Sequence, residues 1–367
     1  MNDFRPGLEG VVAFQTEIAE PDKEGGSLRY RGVDIEELVG HYPYEKVWGL
    51  LVDSSFEPGM PDPEAYRPAN LTGNAPSDLQ SALAHLSAEW GLHKLVDIEP
   101  GETRDDLARL SAITMSIVAQ SARVADGKTD PIPDDVVEQG GIAAEKFLLR
   151  WRGEADPKHV RAIDTYWICT AEHGLNASTF TARIVASTGA DAGAAMSSAV
   201  GALSGPLHGG APARILPMLE GAEKLGDPER YIRELLDRGE RLMGFGHRIY
   251  RGDDPRATLL KRTAQELGSA RFEVADAVEK AALAELKRRK PDRPLPTNVE
   301  FYSAVVLDLA EVPPDLTPAM FACARVAGWS AHILEERKTG RLIRPGAQYV
   351  GPAPRPASEV GATPVPS

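Results

Sequence analysis

The spacing of apolar residues constrains the fold of this chain more than any other feature of its sequence. Apolar residues recur at intervals of three and four, after an Asp, Ser or Pro that can begin a helix. Alternation with a period of two is nearly absent after about residue 35, and no strand-helix-strand order recurs, so a parallel sheet is not expected. The pattern predicts a mainly α chain, with one small strand or hairpin element before the first helix. The predicted helices are residues 34–38, 79–92, 104–125, 134–151, 159–187, 228–239, 254–267, 271–289 and 318–339.

The composition is that of a globular protein with a hydrophobic core. The chain has 367 residues, enough for about two domains of roughly 150 residues each. Of these residues, 42% are hydrophobic, which is ordinary for a globular protein. Cys169 and Cys323 each lie in an apolar, Ala-rich stretch, which indicates buried free thiols in a reducing compartment.

The start of the chain lacks a signal-peptide pattern. Arg183 and Asp191 interrupt the most apolar region, 177–207, so no membrane span is expected. We expect a cytoplasmic protein.

The charge of the chain excludes one class of partner. A formal net charge of -13 argues against a nucleic-acid binder, because neutralising phosphates requires a basic face. An anionic small molecule is still compatible with this charge. A few arginines concentrated in one cleft can hold carboxylates on an acidic protein.

Two glycine-rich loops present histidines. His208 lies in GPLHGG and His247 in GFGH, where the glycines indicate close backbone approach or positive φ. The alternative, that each His caps a helix or satisfies a loop carbonyl, is weakened because the arrangement occurs twice. A dinucleotide or phosphate loop is not indicated, since neither GxGxxG nor a following Gly-Lys-Ser/Thr is present. His173 and His332 add no paired spacing with these residues, so no metal site is predicted.

Arginines near the second loop indicate an anionic substrate. Arg248, Arg251 and Arg256 follow His247, and a helix start precedes the last of them, so cations and a helix N-terminus can face one anion. Ordinary solvated arginines are the alternative. Arg325 lies in an otherwise apolar helix, where an unpaired guanidinium is costly, so a partner or ligand carboxylate is expected.

Six segments, in their order and spacing, resemble the citrate synthase family in the bacterial form shared with 2-methylcitrate synthase. The resemblance covers about residues 7 to 350, and GPLHGG together with GFGHR and DPRA is its most specific part. The segments are YRGVDIEEL, EHGLNASTFTAR, GPLHGG, MGFGHRIYRGDDPRA, NVEFYS and RVAGWSAHILEE.

The resemblance implies a two-domain helical fold and a homodimer. The large domain would comprise residues 1–210 and 314–351. The charged stretch 211–313 would form a small, mobile domain on the coenzyme A side, inserted into the large one. Residues 352–367 are dense in Pro, Ala, Gly and Ser, which predicts a flexible tail.

The resemblance also implies a role for each site residue in a condensation of acetyl-CoA with oxaloacetate. His208 would hydrogen-bond the thioester carbonyl, Glu300 would take the methyl proton, and His247 would polarise the ketone of oxaloacetate. The oxaloacetate carboxylates would be held by His173, Arg256 and Arg325, with Arg344 from the second subunit. Coenzyme A would contact Leu242, Met243, Gly244, Phe245, Gly246 and Arg251. Acetyl-CoA is then a co-substrate, and no permanently bound cofactor or metal is expected.

The chain departs from the family pattern at the expected base. Glu300 stands where the family has Asp, and Ala304 stands where it has Gly. Three interpretations are open: a compensated active site, a slow paralogue, or a site adapted to a bulkier acyl group. The expected function is citrate synthase. The alternatives are a 2-methylcitrate synthase that uses propionyl-CoA, and a low-activity homologue that binds coenzyme A or oxaloacetate in a regulatory role.

Overall fold

A computed structural model describes residues 4–22, 26–209, 214–247, 249–250 and 252–361 of the chain. In that part of the chain, helices carry almost all of the regular structure, which confirms the mainly α prediction. The fifteen described α-helices are α1 (Ile35–Leu38), α2 (Tyr44–Asp53), α3 (Ala75–Glu89), α4 (Pro100–Ala125), α5 (Asp134–Val137), α6 (Ala143–Arg152), α7 (Pro157–Thr170), α8 (Ala177–Ser187), α9 (Ala192–Leu203), α10 (Ile215–Leu225), α11 (Pro228–Asp237), α12 (Pro255–Glu266), α13 (Phe272–Arg289), α14 (Val299–Leu309) and α15 (Thr317–Thr339).

A small antiparallel sheet precedes the helices, as predicted. Its strands are β1 (Ala19–Pro21), β2 (Leu28–Tyr30) and β3 (Val33–Asp34), in the order β1-β2-β3. The Asp34 side chain accepts a hydrogen bond from the backbone N–H of Glu36. This N-cap ends the sheet and begins α1.

The hydrophobic core is built around α15. This helix packs against α2, α4, α7, α8 and α9, and apolar residues occur on all of its sides, which is typical of a helix at the centre of a protein. Trp48, Trp167 and Trp329 are fully buried in this core. Burial of a large apolar side chain contributes roughly 1.5 to 3 kcal/mol to stability.

A second group of helices faces this core. Helices α10, α11 and α13 pack on one another, while α12 and α14 pack together and against α7. Helix α7 therefore joins the two groups. The bounds of the predicted small domain, 211–313, stay a prediction.

The predicted helix 159–187 was wrong, because the structure divides it into α7 and α8. Gly174 has a φ of +67°, and the Asn176 side chain accepts from the backbone N–H of Thr179 to begin a new helix. Apolar spacing continues through the break, so periodicity alone did not reveal it. The break places His173 in a connector instead of on a helix face.

Other predictions of elements had mixed outcomes. The predicted helix 134–151 was also wrong, since α5 and α6 are separated at Gly140 and Gly141. Helices α2, α9, α10 and α14 were missed.

Cys169 and Cys323 are buried and free, as predicted. Among the described residues, no helix combines the length and apolar character needed to cross a bilayer.

Candidate active site

An open cleft of about 1200 Å³ separates the two helix groups. It is lined by the connector after α7, the loop after α9, the loop before α12, the start of α14 and the middle of α15. Side chains predicted for the site that line this cleft are His173, His208, Leu242, Met243, Gly244, Phe245, Gly246, His247, Arg256, Glu300 and Arg325. The fold therefore brings together residues that are far apart in sequence.

Backbone hydrogen bonds fix the tautomer of His247. Its Nδ1 accepts from the backbone N–H groups of Ile249 (3.0 Å) and Tyr250 (3.1 Å). A neutral imidazole whose Nδ1 only accepts carries its proton on Nε2. Burial and the Arg256 charge lower the pKa of His247 to about 4, so the ring is neutral near pH 7 and Nε2 is a hydrogen-bond donor.

Arg256 is held beside His247 by Asp254. The Asp254 carboxylate accepts from Arg256 Nε (2.9 Å) and Nη2 (2.8 Å), and both side chains are buried. Burial opposes the Arg256 charge, but the attraction of Asp254 outweighs it and holds the pKa of Arg256 above its ordinary value. Arg256 Nη2 lies 3.3 Å from His247 Nε2. In this tautomer both atoms carry hydrogens, so they do not bond each other and can donate together to one carbonyl or carboxylate oxygen.

His173 completes the same side of the cleft. Its Nε2 lies 3.0 Å from the Tyr250 hydroxyl, and its ring meets the ring of His247 edge-on at 5.1 Å. Burial first, and then the neighbouring Arg256 charge, lower the pKa of His173 well below its ordinary value. The ring is a neutral polar group in this pocket.

His208 lies across the cleft, in the loop after α9. Its Nε2 is 2.9 Å from Ser178 Oγ, and Ser178 Oγ also accepts from Trp329 Nε1 (3.2 Å). Burial and the Arg325 charge lower the pKa of His208 to about 4. When the Ser178 hydroxyl donates to Nε2, the neutral ring carries its proton on Nδ1, where it can donate to a ligand. That hydroxyl also lies 2.9 Å from Asn176 Oδ1, an alternative acceptor for the same hydrogen.

Arg325 projects from α15 into the cleft. Its Nε donates to the Thr170 carbonyl (2.9 Å), and the guanidinium lies 4.6 Å from the centre of the Phe321 ring. Burial lowers the pKa of Arg325, and the nearby Glu172 charge opposes that effect. Among the described residues, Nε is the only atom of this guanidinium that makes a hydrogen bond. Its two Nη groups are therefore available to a ligand.

Glu300 lies in the first turn of α14. The N-cap Asn298 accepts from the backbone N–H of Glu300 (3.1 Å) and donates from its side chain to the Gly246 carbonyl (3.0 Å). Burial raises the pKa of Glu300 above 4.5, although Arg256 and Arg241 oppose this shift. A carboxylate with a raised pKa at the edge of a cleft is a suitable proton acceptor.

The glycines before His247 are required by conformation and by space. Gly244 and Gly246 both have a φ of +86°. A Cβ on Gly244 would lie 2.9 Å from Phe301 Cβ, and one on Gly246 would lie 2.9 Å from Leu295 Cδ2. The sequence prediction of positive φ and close approach is confirmed for this loop.

Some predicted site residues do not reach the cleft or cannot be placed. Arg344 is exposed in the segment after α15 and is not among the residues that line the cleft, so its predicted role in a second subunit stays a prediction. Arg248 and Arg251 lie outside the described residues. Within the described ranges, no group of three or more His, Cys, Asp or Glu side chains is arranged to hold a metal ion.

Sequence reasoning missed several residues that shape the site. The sequence predicted Asp254 as a helix start and not as the partner of Arg256, although an N-cap aspartate two residues before an arginine suggests this pair. Tyr250 and Ser178 gave no signal, since their histidine partners come from other segments. Arg214 and Arg241 also line the cleft and add positive charge at its mouth.

Comparisons with known proteins identify a family for this chain. The family model described as "Citrate synthase, C-terminal domain" matches residues 7–346. The chain belongs to the citrate synthase family. Its members are acyltransferases, so the protein is an enzyme of that class. Both relatives described below come from bacteria, in line with the bacterial form of the family that the sequence predicts.

Relatives and a solved structure cover nearly the whole chain. A provisionally named citrate synthase 2 of Mycobacterium tuberculosis is 55% identical over 360 residues, covering 98% of this chain and 96% of the relative. A 2-methylcitrate synthase of Shewanella oneidensis is 32% identical, covering 95% of each chain. The ternary complex of Thermoplasma acidophilum citrate synthase with carboxymethyl coenzyme A and oxaloacetate has a TM-score of 0.80 at 27% identity, covering 96% of this chain and 98% of that one.

Proposed function

We propose that the protein condenses acetyl-CoA with oxaloacetate and hydrolyses the product to citrate and coenzyme A. One observation carries the proposal: a single cleft places two neutral histidines, one carboxylate and two buried arginines around a common space. A thioester methyl group is a weak carbon acid. Its deprotonation needs a positioned base together with a donor that stabilises the enolate oxygen.

The first step is formation of the enolate. Glu300 removes a proton from the methyl group of acetyl-CoA, and the electron pair moves onto the thioester oxygen. His208 donates to that oxygen from Nδ1–H, the tautomer it has when the Ser178 hydroxyl donates to Nε2 and not to Asn176. A neutral imidazole is suited to this role, because its N–H stabilises developing charge without itself losing a proton.

The second step forms the carbon-carbon bond. The enolate carbon attacks the ketone carbon of oxaloacetate, and the ketone π electrons move onto its oxygen, to which His247 Nε2–H donates. The resulting alkoxide takes up one proton to become the hydroxyl, and the proton that Glu300 removed from the methyl group balances it. His173, Arg256 and Arg325 hold the substrate carboxylates. Water then cleaves the thioester and releases coenzyme A thiol and citrate.

We also propose how the rest of the chain serves this reaction. Residues 211–313 would move as a small domain that closes over the large one and excludes solvent water. Leu242, Met243, Gly244, Phe245 and Gly246 would contact coenzyme A, with Arg251. The protein would act in the cytoplasm as a homodimer, in which Arg344 of one copy completes the site of the other.

A thiol-release assay tests the proposed function. Purified protein is mixed with acetyl-CoA or propionyl-CoA, with and without oxaloacetate, and free coenzyme A thiol is measured. We expect release that depends on oxaloacetate and is faster with acetyl-CoA. A preference for propionyl-CoA would instead identify a 2-methylcitrate synthase, because one methyl group is decided by pocket shape, worth about 1 to 3 kcal/mol.

The assay also separates an enzyme from a binding protein. Calorimetry with oxaloacetate measures binding independently of turnover. Binding without thiol release would contradict the proposed enzyme and support the low-activity regulatory homologue.

A further inference from the structure

The connector that carries His173 lies along one face of α15. Arg325 Nε donates to the Thr170 carbonyl (2.9 Å), and the backbone N–H of Gly328 donates to the Ala171 carbonyl (3.2 Å). His332 Nε2 lies 3.2 Å from Glu172 Oε1. The three α15 positions are three and four residues apart, so they share one face of the helix.

Gly328 is the residue that lets the connector come so close. A Cβ at this position would lie 2.7 Å from the Ala171 carbonyl oxygen and would overlap Glu172 Oε2. The Glu172 carboxylate is fully buried. It therefore fills the space that a larger residue on α15 would occupy.

The proton on His332 is directed at Glu172. Arg183 Nη1 lies 2.9 Å from His332 Nδ1, and since a guanidinium only donates, Nδ1 must accept. The neutral ring then carries its proton on Nε2 and donates it to Glu172. Arg183 is itself paired with Glu335 (2.6 Å) and Glu336 (2.8 Å).

Glu172 and Arg325 meet the same face of α15, Glu172 against Gly328 and His332 and Arg325 one turn earlier, and no hydrogen bond joins them among the described residues. The Glu172 charge opposes the effect of burial on the Arg325 pKa. Glu172 Oε2 is nevertheless buried and has no hydrogen-bond partner among the described residues. A buried guanidinium needs a counter-charge, but a carboxylate that bound its Nη groups directly would compete with a ligand.

We propose that His332 holds the Glu172 carboxylate away from the Nη groups of Arg325, so that Glu172 balances the buried charge while Arg325 stays available to the substrate carboxylate. Glu172 and His332 are positioning residues, which act through Arg325. The inference rests on the proposed function, because it takes oxaloacetate as the ligand of Arg325.

The substitution His332→Leu removes the donor that holds Glu172. The released carboxylate then pairs with Arg325 and competes with substrate. We expect the KM for oxaloacetate to rise about 10-fold or more, equivalent to roughly 1.4 kcal/mol, while the KM for acetyl-CoA changes less than about two-fold. Oxaloacetate binding by calorimetry is expected to weaken by the same factor.

The double variant His332→Leu/Glu172→Gln separates positioning from general damage to the fold. It removes the competing carboxylate, so the KM for oxaloacetate is expected to return to within about three-fold of wild type, although a buried polar network has been lost. Glu172→Gln alone is not expected to raise this KM. A matched control is Asp78→Asn, which changes a buried carboxylate that bonds Thr72, Gly73 and Ser121 and lies outside the cleft.

Two results would overturn the inference: an unchanged oxaloacetate KM in His332→Leu, or a double variant as impaired as the single one. The wild-type protein tests separately whether the proposed function is correct. If wild type binds oxaloacetate without turnover, the proposed function fails and the calorimetric comparison still decides the inference. If wild type does not bind oxaloacetate at all, both fail.

Discussion

The reach of Glu300 is the central question at the scale of single residues. Its carboxylate lies at the N-terminus of α14, where the helix dipole favours the anion, while burial favours the neutral acid. A general base contributes about 100-fold to 10,000-fold to a rate. We therefore expect Glu300→Gln to lower kcat at least about 100-fold in the thiol-release assay and to leave oxaloacetate binding nearly unchanged.

Glu300→Asp is the matched control, because it keeps the charge and removes one methylene. Displacing a catalytic group by about 1 Å can cost roughly 100-fold in rate. If the backbone compensates for the longer side chain, Glu300→Asp is slower than wild type; if the methylene is a handicap, it is faster. Turnover of Glu300→Gln within a few-fold of wild type would remove Glu300 from the role of base.

The raised pKa of Glu300 also predicts a pH dependence. A base acts only when it is ionised, so kcat/KM falls as the pH falls through the pKa of Glu300, which burial raises above its ordinary value. The pKa values of His208 and His247 are lowered to about 4, so both rings are neutral near pH 7. We expect an acid limb in the pH-rate profile of wild type that disappears from the residual activity of Glu300→Gln. The same limb in both proteins would assign it to another group.

Single residues of the site were predictable where local chemistry marks them. Glycines beside His208 and His247 predicted loop histidines, and an arginine in an apolar helix predicted that Arg325 has a special role. The hydrogen-bond partners were not predictable in the same way. Ser178, on α8, comes near His208, in the loop after α9, through the packing of α8 on α9, a contact that no local pattern encodes.

At the scale of elements, Asn298 connects the glycine loop to α14. It caps the helix and donates to the Gly246 carbonyl, while its backbone N–H donates to the Gly244 carbonyl (2.9 Å). Loss of an N-cap costs about 1 kcal/mol. We expect Asn298→Ala to lower the free energy of unfolding by about 1 to 2 kcal/mol in urea titration, and to lower kcat because the side-chain bond that couples the helix of the base to the Gly246 carbonyl is lost.

Asn298→Ser tests whether the cap or the coupling matters for the rate. Serine caps a helix about as well as asparagine, but it is too short to maintain the bond to the Gly246 carbonyl. Stability near that of wild type with a lowered kcat would support coupling. Stability and kcat both near those of wild type in Asn298→Ser would reduce Asn298 to a helix cap.

Predictions of elements from sequence succeeded for long periodic segments and failed where helices follow one another closely. The long helices α4, α13 and α15 were predicted near their observed bounds. The α7-α8 break was missed, because the residues on both sides are apolar at helical spacing. A positive φ at Gly174 and a cap at Asn176 set this boundary, and tertiary contacts of the connector with α15 maintain it.

At the scale of the whole molecule, the cleft depends on contacts between distant segments. Its residues come from α7 through α15, so neither its shape nor its partners follow from any one window of sequence. The resemblance to a known family supplied the roles that periodicity could not. Buried polar groups of the core, in contrast, were not predictable, since each depends on a helix from another part of the chain.

Asp164 is such a buried group, and it predicts how the stability of the whole fold varies with pH. Its carboxylate, on α7, accepts from the backbone N–H of Tyr44 (2.9 Å) at the start of α2. Burial raises the pKa of Asp164 from 3.8 to about 7. Between these values the folded protein binds a proton that the unfolded chain releases, so this residue makes the free energy of unfolding fall as the pH rises from about 4 to about 7.

The substitution Asp164→Asn keeps an acceptor for Tyr44 and removes the titration. A difference of one unit between two pKa values corresponds to about 1.4 kcal/mol. We therefore expect the free energy of unfolding of the variant, relative to that of wild type, to rise steadily from pH 5 to pH 7, by about 1 to 3 kcal/mol in total. Urea unfolding at pH 5, 6, 7 and 8 measures the difference, which is expected to level off above pH 7. A difference that is constant over this range would mean that Asp164 does not titrate there. Helices α2 and α7 both pack on α15. The protonated Asp164 side chain between them therefore stabilises the core that supports the cleft, and the ionised side chain destabilises it.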